Sequence, residues 1–174
     1  MLQLLRHLGA EVEGEGTGTL RIRCAALTGD EPDPALVGRL RGSVLLLGPL
    51  LGRTGRARLA SPGGDFPARR TINTHLRALV ALGATVTAGD HGHYLEAPTG
   101  LSGASFYLLE ASVTGTETAL LAAAGTKPGW CRVDCPPTDL SSRLLIVPTV
   151  STQQLPTGFA QRAKDEGACL VRRL

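Results

Sequence analysis

The sequence predicts a mixed α/β fold of the α+β type, assembled from a repeated unit in which a helix is followed by short strands. Three observations predict it. The segment Leu4-Leu5-Arg6-His7-Leu8-Gly9-Ala10-Glu11-Val12 returns as Leu76-Arg77-Ala78-Leu79-Val80-Ala81-Leu82-Gly83-Ala84-Thr85-Val86, and such self-similarity decides architecture before any single element does. Apolar residues fall alternately at helical spacing and in short period-2 runs. The chain has 174 residues and 43% hydrophobic content, enough for one well-buried domain or two small ones.

The elements follow in order. Each repeat copy opens on a leucine-rich helix that stops at Leu-Gly-Ala, where glycine after the last apolar turn is a C-cap signal, and then enters a strand. Between the copies, Leu36, Leu40, Val44 and Leu47 recur at helical spacing and predict a second helix from Pro34 to about Leu51. Asp33 is its N-cap and Pro34 its first helical residue. Arg56–Ala60 reads as a strand, Ser61-Pro62-Gly63-Gly64 as a loop, and Arg70–Leu82 as a helix with Ile72, Leu76, Leu79 and Val80 inward. Short strands are predicted around Tyr94–Glu96 and Ser105–Leu109, then a helix from about Gly115 to Ala124 carrying Leu120 and Leu121. This order packs helices against one sheet face.

After Gly125 the character changes. Pro128, Pro136, Pro137, Pro148 and Pro156 interrupt every candidate element, and no third Leu-Gly-Ala copy appears. Residues 1–125 therefore read as one region. Residues 126–174 read as a divergent, proline-rich segment, either a loosely structured extension or the product of a changed reading frame.

Composition narrows the function. The net charge of +3 comes from dispersed arginines, with lysine only at Lys127 and Lys164, and aromatic residues make up 3%. That pattern suits anionic small ligands and lacks the stacking platforms of nucleic-acid binding. The longest apolar stretch, Val44–Leu51, is too short to cross a bilayer, and the N-terminus has no signal-peptide core. A cytoplasmic location is expected, with Cys24, Cys131, Cys135 and Cys169 reduced. Cys131 and Cys135 stand far from every histidine in sequence, so neither a metal site nor a cofactor is expected.

Three segments carry a resemblance. Arg41-Gly42-Ser43-Val44-Leu45-Leu46-Leu47-Gly48-Pro49-Leu50 is the first. The second is Ser61-Pro62-Gly63-Gly64-Asp65-Phe66-Pro67-Ala68-Arg69-Arg70-Thr71-Ile72-Asn73-Thr74-His75-Leu76, and Ala111-Ser112-Val113-Thr114-Gly115-Thr116-Glu117 the third. In this order and spacing they are similar to the Leu-Gly-Pro-Leu helix, the Pro-Gly-Gly-Cys loop and a substrate-contacting helix start of the UDP-N-acetylglucosamine enolpyruvyl transferases, or 1-carboxyvinyltransferases. The resemblance covers roughly residues 1–125.

It implies repeated βαβαββ units closing into an inside-out α/β barrel or prism, incomplete here. It also implies transfer of the enolpyruvyl group of phosphoenolpyruvate to the 3-hydroxyl of UDP-N-acetylglucosamine in peptidoglycan synthesis. Asp65 takes the general-acid position where most relatives have cysteine, a role a carboxylic acid can fill if its surroundings raise its pKa. Arg41 and Arg70 map to anion-binding arginines. Thr71, Ile72, Asn73, Thr74 and His75 map to the segment lining the uridine nucleotide, partly through backbone groups at a helix start. Thr71 and Asn73 depart from the usual proline and aspartate. Thr114 and Gly115 map to a turn approaching the sugar.

The family's early Lys-Asn pair and its second domain, with a base aspartate and a further arginine, have no counterpart in these residues. Three readings follow: an enolpyruvyl transferase segment inactive by itself, a non-enzymatic nucleotide-sugar-binding remnant, and a relative of the enzyme that makes 5-enolpyruvylshikimate 3-phosphate. Surfaces left open by the missing repeats predict self-association.

Overall fold

A computed structural model describes residues 1–63, 71–110, 112–126, 131–134, 144–146 and 169–171. The first repeat copy is helix α1 (Leu2–His7) followed by strands β1 (Glu11–Glu13) and β2 (Arg21–Arg23), paired antiparallel with Val12 opposite Ile22. β2 is an element the periodicity did not predict, because three residues hold too little alternation to register.

Helix α2 (Pro34–Val37) opens as the sequence predicts. The Asp33 carboxylate accepts hydrogen bonds from the backbone N–H of Ala35 and Leu36, and Pro34 sits in the first turn. The predicted helix does not run on to Leu51. It stops at Gly38, passes through an extended Leu40, continues as a 3-10 segment (Arg41–Leu46) and becomes α-helical only as α3 (Leu47–Thr54). Two local causes are visible. The Ser43 hydroxyl donates to the Leu40 carbonyl at 2.7 Å, a side-chain alternative to helical bonding. Pro49 lacks an N–H and is tolerated only within the first turn of a helix, which is where α3 places it. Val37, rather than Leu36 or Leu40, is then fully buried.

Strand β3 (Arg56–Ala60) lies where predicted, and α4 (Asn73–Ala81) leads into β4 (Thr85–Gly89) and β5 (Gly92–Glu96). These strands form an antiparallel sheet in the order β3-β5-β4. Both repeat helices close alike. Gly9 and Gly83 take φ of 95° and 98°. Their N–H groups donate to Arg6 and Val80, and the following Ala10 and Ala84 donate to Leu5 and Leu79. This is a doubled Schellman closure, and the left-handed backbone it needs explains both glycines.

β6 (Ser105–Tyr107) and α5 (Val113–Ala123) follow, then β7 (Cys131–Asp134), β8 (Leu144–Ile146) and β9 (Cys169–Val171), in a sheet of order β6-β7-β8-β9. β7 runs parallel to β6, and Val133 belongs to the same core as the leucines of α1, α3 and α4. α3 packs on α5 through small residues. A Cβ at Gly48 would lie 2.8 Å from the Ala122 nitrogen, and one at Gly52 would lie 2.9 Å from the Gly125 Cα, so the Gly-Pro-Leu segment is glycine where the helices touch. Leu47, Leu50 and Leu51 fill the space around that contact and are almost completely buried.

Candidate active site

The starts of α4 and α5 converge. Ser112 caps α5, its hydroxyl accepting from the Gly115 N–H at 3.1 Å, which leaves the next turn free to pack closely. A Cβ at Gly115 would lie 2.9 Å from Thr74 Cγ2 and 3.1 Å from Ser112 Cβ, so only glycine lets the two helices meet here. α4 begins after Ile72 with no side chain capping it among the described residues, and the first N–H groups of a helix are donors suited to an anion.

His75 locks this junction. Its Nδ1 lies 2.9 Å from the Thr118 hydroxyl and its Nε2 3.4 Å from that of Thr114, one turn earlier on α5. The ring is almost fully buried. Burial, and secondarily the Arg41 charge, lower its pKa from 6.5 to about 4, so at neutral pH it is an uncharged imidazole bridging two hydroxyls. Arg41, at the start of the 3-10 segment, donates from Nη2 to the Thr71 carbonyl at 2.9 Å. Among the described residues no carboxylate forms an ion pair with it, and a guanidinium has further donors suited to a bidentate anion contact.

Beside the junction lies a cleft of about 410 Å³, lined by Asn73, Thr74, Arg77, Phe106, Tyr107 and Glu110 among others. Glu110 accepts a hydrogen bond from the Thr74 hydroxyl at 3.2 Å. The cleft thus pairs an aromatic wall from β6 with the polar start of α4, a composition suited to a planar group carrying polar edges.

The structure brings Arg41, Thr71, Ile72, Asn73, Thr74, His75, Thr114 and Gly115 into one region, although they lie on three separate elements. Thr71 and Asn73 are exposed. Ile72 and His75 point inward, so their side chains position the turn and these two residues can face a ligand only through backbone. Asp65 and Arg70 lie outside the described residues, which resume at Thr71. Just before that gap, the Gly63 N–H donates to the Val37 carbonyl at 3.2 Å, anchoring the Pro-Gly-Gly loop to the end of α2. Sequence reasoning missed Thr118, Arg77, Tyr107 and Glu110. The i, i+4 spacing of Thr114 and Thr118 was the available signal for the first; nothing in the pattern marked the others.

Residues 1–150 match the family described as EPSP synthase (3-phosphoshikimate 1-carboxyvinyltransferase). The chain belongs to this family of enolpyruvyl transferases. It is 46% identical over 123 residues to the UDP-N-acetylglucosamine 1-carboxyvinyltransferase of Bradyrhizobium diazoefficiens, a match covering 71% of this chain and 28% of that protein. The protein of the same name from Desulfosudis oleivorans is 43% identical over 122 residues, 70% of this chain and 29% of the relative. The chain therefore spans less than a third of the length of these relatives. Among solved structures, the enolpyruvyl transferase NikO from Streptomyces tendae aligns with a TM-score of 0.62 at 23% identity, over 75% of this chain and 31% of that one, a likeness of fold. Mixed helix and strand in repeated units is thus the enolpyruvyl transferase architecture, here without a closed barrel among the described residues.

Among the described residues no helix is long and apolar enough to cross a membrane.

Proposed function

We propose that this chain forms the nucleotide-sugar-facing part of a UDP-N-acetylglucosamine 1-carboxyvinyltransferase, acting in the cytoplasm on the route to peptidoglycan. The observation that carries the reading is the junction of α4 and α5: a helix start that no described side chain caps, an arginine held to Thr71 with no ion-pair partner among the described residues, and a cleft with an aromatic wall. The names of the relatives support the choice of UDP-N-acetylglucosamine over shikimate 3-phosphate as acceptor.

In this reading the acceptor's 3-hydroxyl gives up its proton to a base as its oxygen bonds to the central carbon of phosphoenolpyruvate and an acid places a proton on the methylene carbon. Phosphate then leaves as a proton of the resulting methyl group is lost, which restores the double bond. The protein must supply a proton and neutralise phosphate and carboxylate charge. Asp65 is assigned the proton, and Arg41 and Arg70 the anionic groups. The backbone of Thr71 to Thr74 and the Thr114-Gly115 turn line the nucleotide and sugar. A carboxylate at position 65 in place of the usual thiol leaves an epoxide such as fosfomycin without its nucleophile. Neutral His75 contributes rigidity, since a histidine with a pKa of about 4 carries no charge for a phosphate at neutral pH.

Calorimetric titration of the 174-residue polypeptide with UDP-N-acetylglucosamine, followed by phosphoenolpyruvate and a phosphate-release assay, tests the reading. Binding without turnover is expected, because the polypeptide holds under a third of the relatives' length. Arg41→Ala should weaken binding about tenfold or more, the cost of a lost charge-assisted contact. Affinity unchanged by Arg41→Ala, or preference for shikimate 3-phosphate, would sink the assignment.

A further inference from the structure

His75 sits between two threonine hydroxyls on successive turns of α5, with Nδ1 2.9 Å from Thr118 Oγ1 and Nε2 3.4 Å from Thr114 Oγ1. A neutral imidazole has one donor nitrogen and one acceptor, so the two contacts cannot run in the same sense. Thr118 decides which is which. It is 0% exposed, and among the described residues its hydroxyl meets no partner but His75. Thr116, on the same helix, instead donates to the Ser112 carbonyl at 2.9 Å. If the Thr118 hydroxyl accepted from its single partner, its own hydrogen would be left without an acceptor and away from water, which costs more than the bond returns. Thr118 therefore donates to Nδ1, and the ring proton sits on Nε2, where it is offered to Thr114.

Thr114 is not sealed in the same way. It lies half-buried in the first turn of α5, where that helix meets the start of α4. With Nε2–H on one lone pair of its oxygen, the Thr114 hydrogen is directed away from the ring. Arg41 donates to the Thr71 carbonyl and its charge acts on the His75 ring, so the same region is cationic. A hydroxyl whose lone pair is already engaged presents its hydrogen without reorganising, which favours an anionic oxygen over a ligand donor.

Resting on the reading of this junction as a UDP-N-acetylglucosamine site, we propose that His75 is a positioning residue that makes the Thr114 hydroxyl a dedicated hydrogen-bond donor to a phosphate oxygen of the bound nucleotide sugar. The ring itself touches no ligand and acts through Thr114.

Two measurements test this, the first without ligand. Long-range proton–nitrogen NMR spectra of the full 174-residue protein, labelled at histidine and recorded at neutral pH, should show the His75 proton on Nε2, the His75 signal being the one that moves in Thr118→Val. In calorimetric titration with UDP-N-acetylglucosamine, Thr114→Val should weaken binding about tenfold, and Thr114→Ser should bind as the unmodified protein does. His75→Asn keeps a polar group at the Nδ1 position and removes the one facing Thr114. It should weaken binding about tenfold by itself and have no further effect in Thr114→Val, whereas a structural role alone would weaken both. If His75→Asn does not fold, the tautomer and the two Thr114 variants still decide. A proton on Nδ1, affinity unchanged by Thr114→Val, or equal losses from His75→Asn in both backgrounds would overturn the proposal and leave the substrate reading standing. A protein with its ring proton on Nε2 that binds no UDP-N-acetylglucosamine would overturn the substrate reading, and with it the ligand assigned to Thr114.

Discussion

The two copies of the repeat share a helix closure and part company at their strands. In the second, three strands lie side by side and Leu95, in the middle, is sealed from water. In the first, two strands stand with Ile22 half exposed, and the compensation lies elsewhere. The segment Ala26–Thr28 straps across the end of α1, with the Thr28 N–H donating to the Leu8 carbonyl and its hydroxyl to that of His7. One sequence pattern therefore supports two solutions, burial by a neighbouring strand and hydrogen bonding by a neighbouring loop. The difference teaches that the repeat encodes the helix and its stop, while what covers the following hairpin is set outside the repeat.

The comparison breaks most visibly at its two central apolar residues. Leu95→Ala removes a fully buried side chain and leaves a cavity that three strands cannot close, so a loss of about 2–5 kcal/mol is expected by urea denaturation. Ile22→Ala should cost under about 1 kcal/mol, because nearly half of the side chain is already in water. Similar costs at the two sites would mean that the first hairpin is covered as fully as the second.

A second difference is titratable. The helix of the second copy carries a buried histidine, and the first copy has an exposed His7 at the end of α1. His75 has a pKa of about 4 in the folded protein, below its unfolded value near 6.5. Between these values the unfolded chain binds more protons, so stability rises with pH across this window. The contribution is fully present above about pH 6.5 and is lost as pH falls toward 4, by up to about 3 kcal/mol. His75→Gln should flatten that slope. A slope that survives His75→Gln would assign the pH dependence to another group.

Much of this was legible in the sequence, for reasons that can be named. The Leu-Gly-Ala stops, the Asp33 cap and β3 are local signals, and each has the predicted geometry. The segment Pro34–Leu51 was misread as one helix because apolar spacing cannot register a serine hydroxyl competing for a backbone carbonyl. Val80, expected inward, is 51% exposed, since α4 buries Thr74 and His75 against α5 in place of a purely apolar stripe. At the site, the motif residues Arg41, Thr74, His75, Thr114 and Gly115 are marked as candidates by their resemblance, and the structure brings them together. Their conversion into a junction was not legible, because it depends on a Cβ-free contact between helices far apart in sequence.

The finest test of the comparison lies in the paired glycines. Gly9 and Gly83 share a left-handed backbone, so alanine at either must adopt a conformation costing about 1 kcal/mol. At Gly83 nothing lies within 4 Å of the added Cβ, and that backbone cost should be the whole effect. At Gly9 the Cβ would meet the Ala26 carbonyl oxygen at 2.9 Å and Thr28 Cγ2 at 3.0 Å, so the strap must shift and the Thr28 bonds to α1 weaken. Gly9→Ala should therefore cost about 1 kcal/mol more than Gly83→Ala, the worth of one such bond. If Thr28→Val is introduced first, the excess at Gly9 should shrink, because the bond that the methyl group disturbs is already gone. An excess that persists undiminished would place the strain in the Ala26 carbonyl contact alone and remove the strap from the account of how the first copy is held.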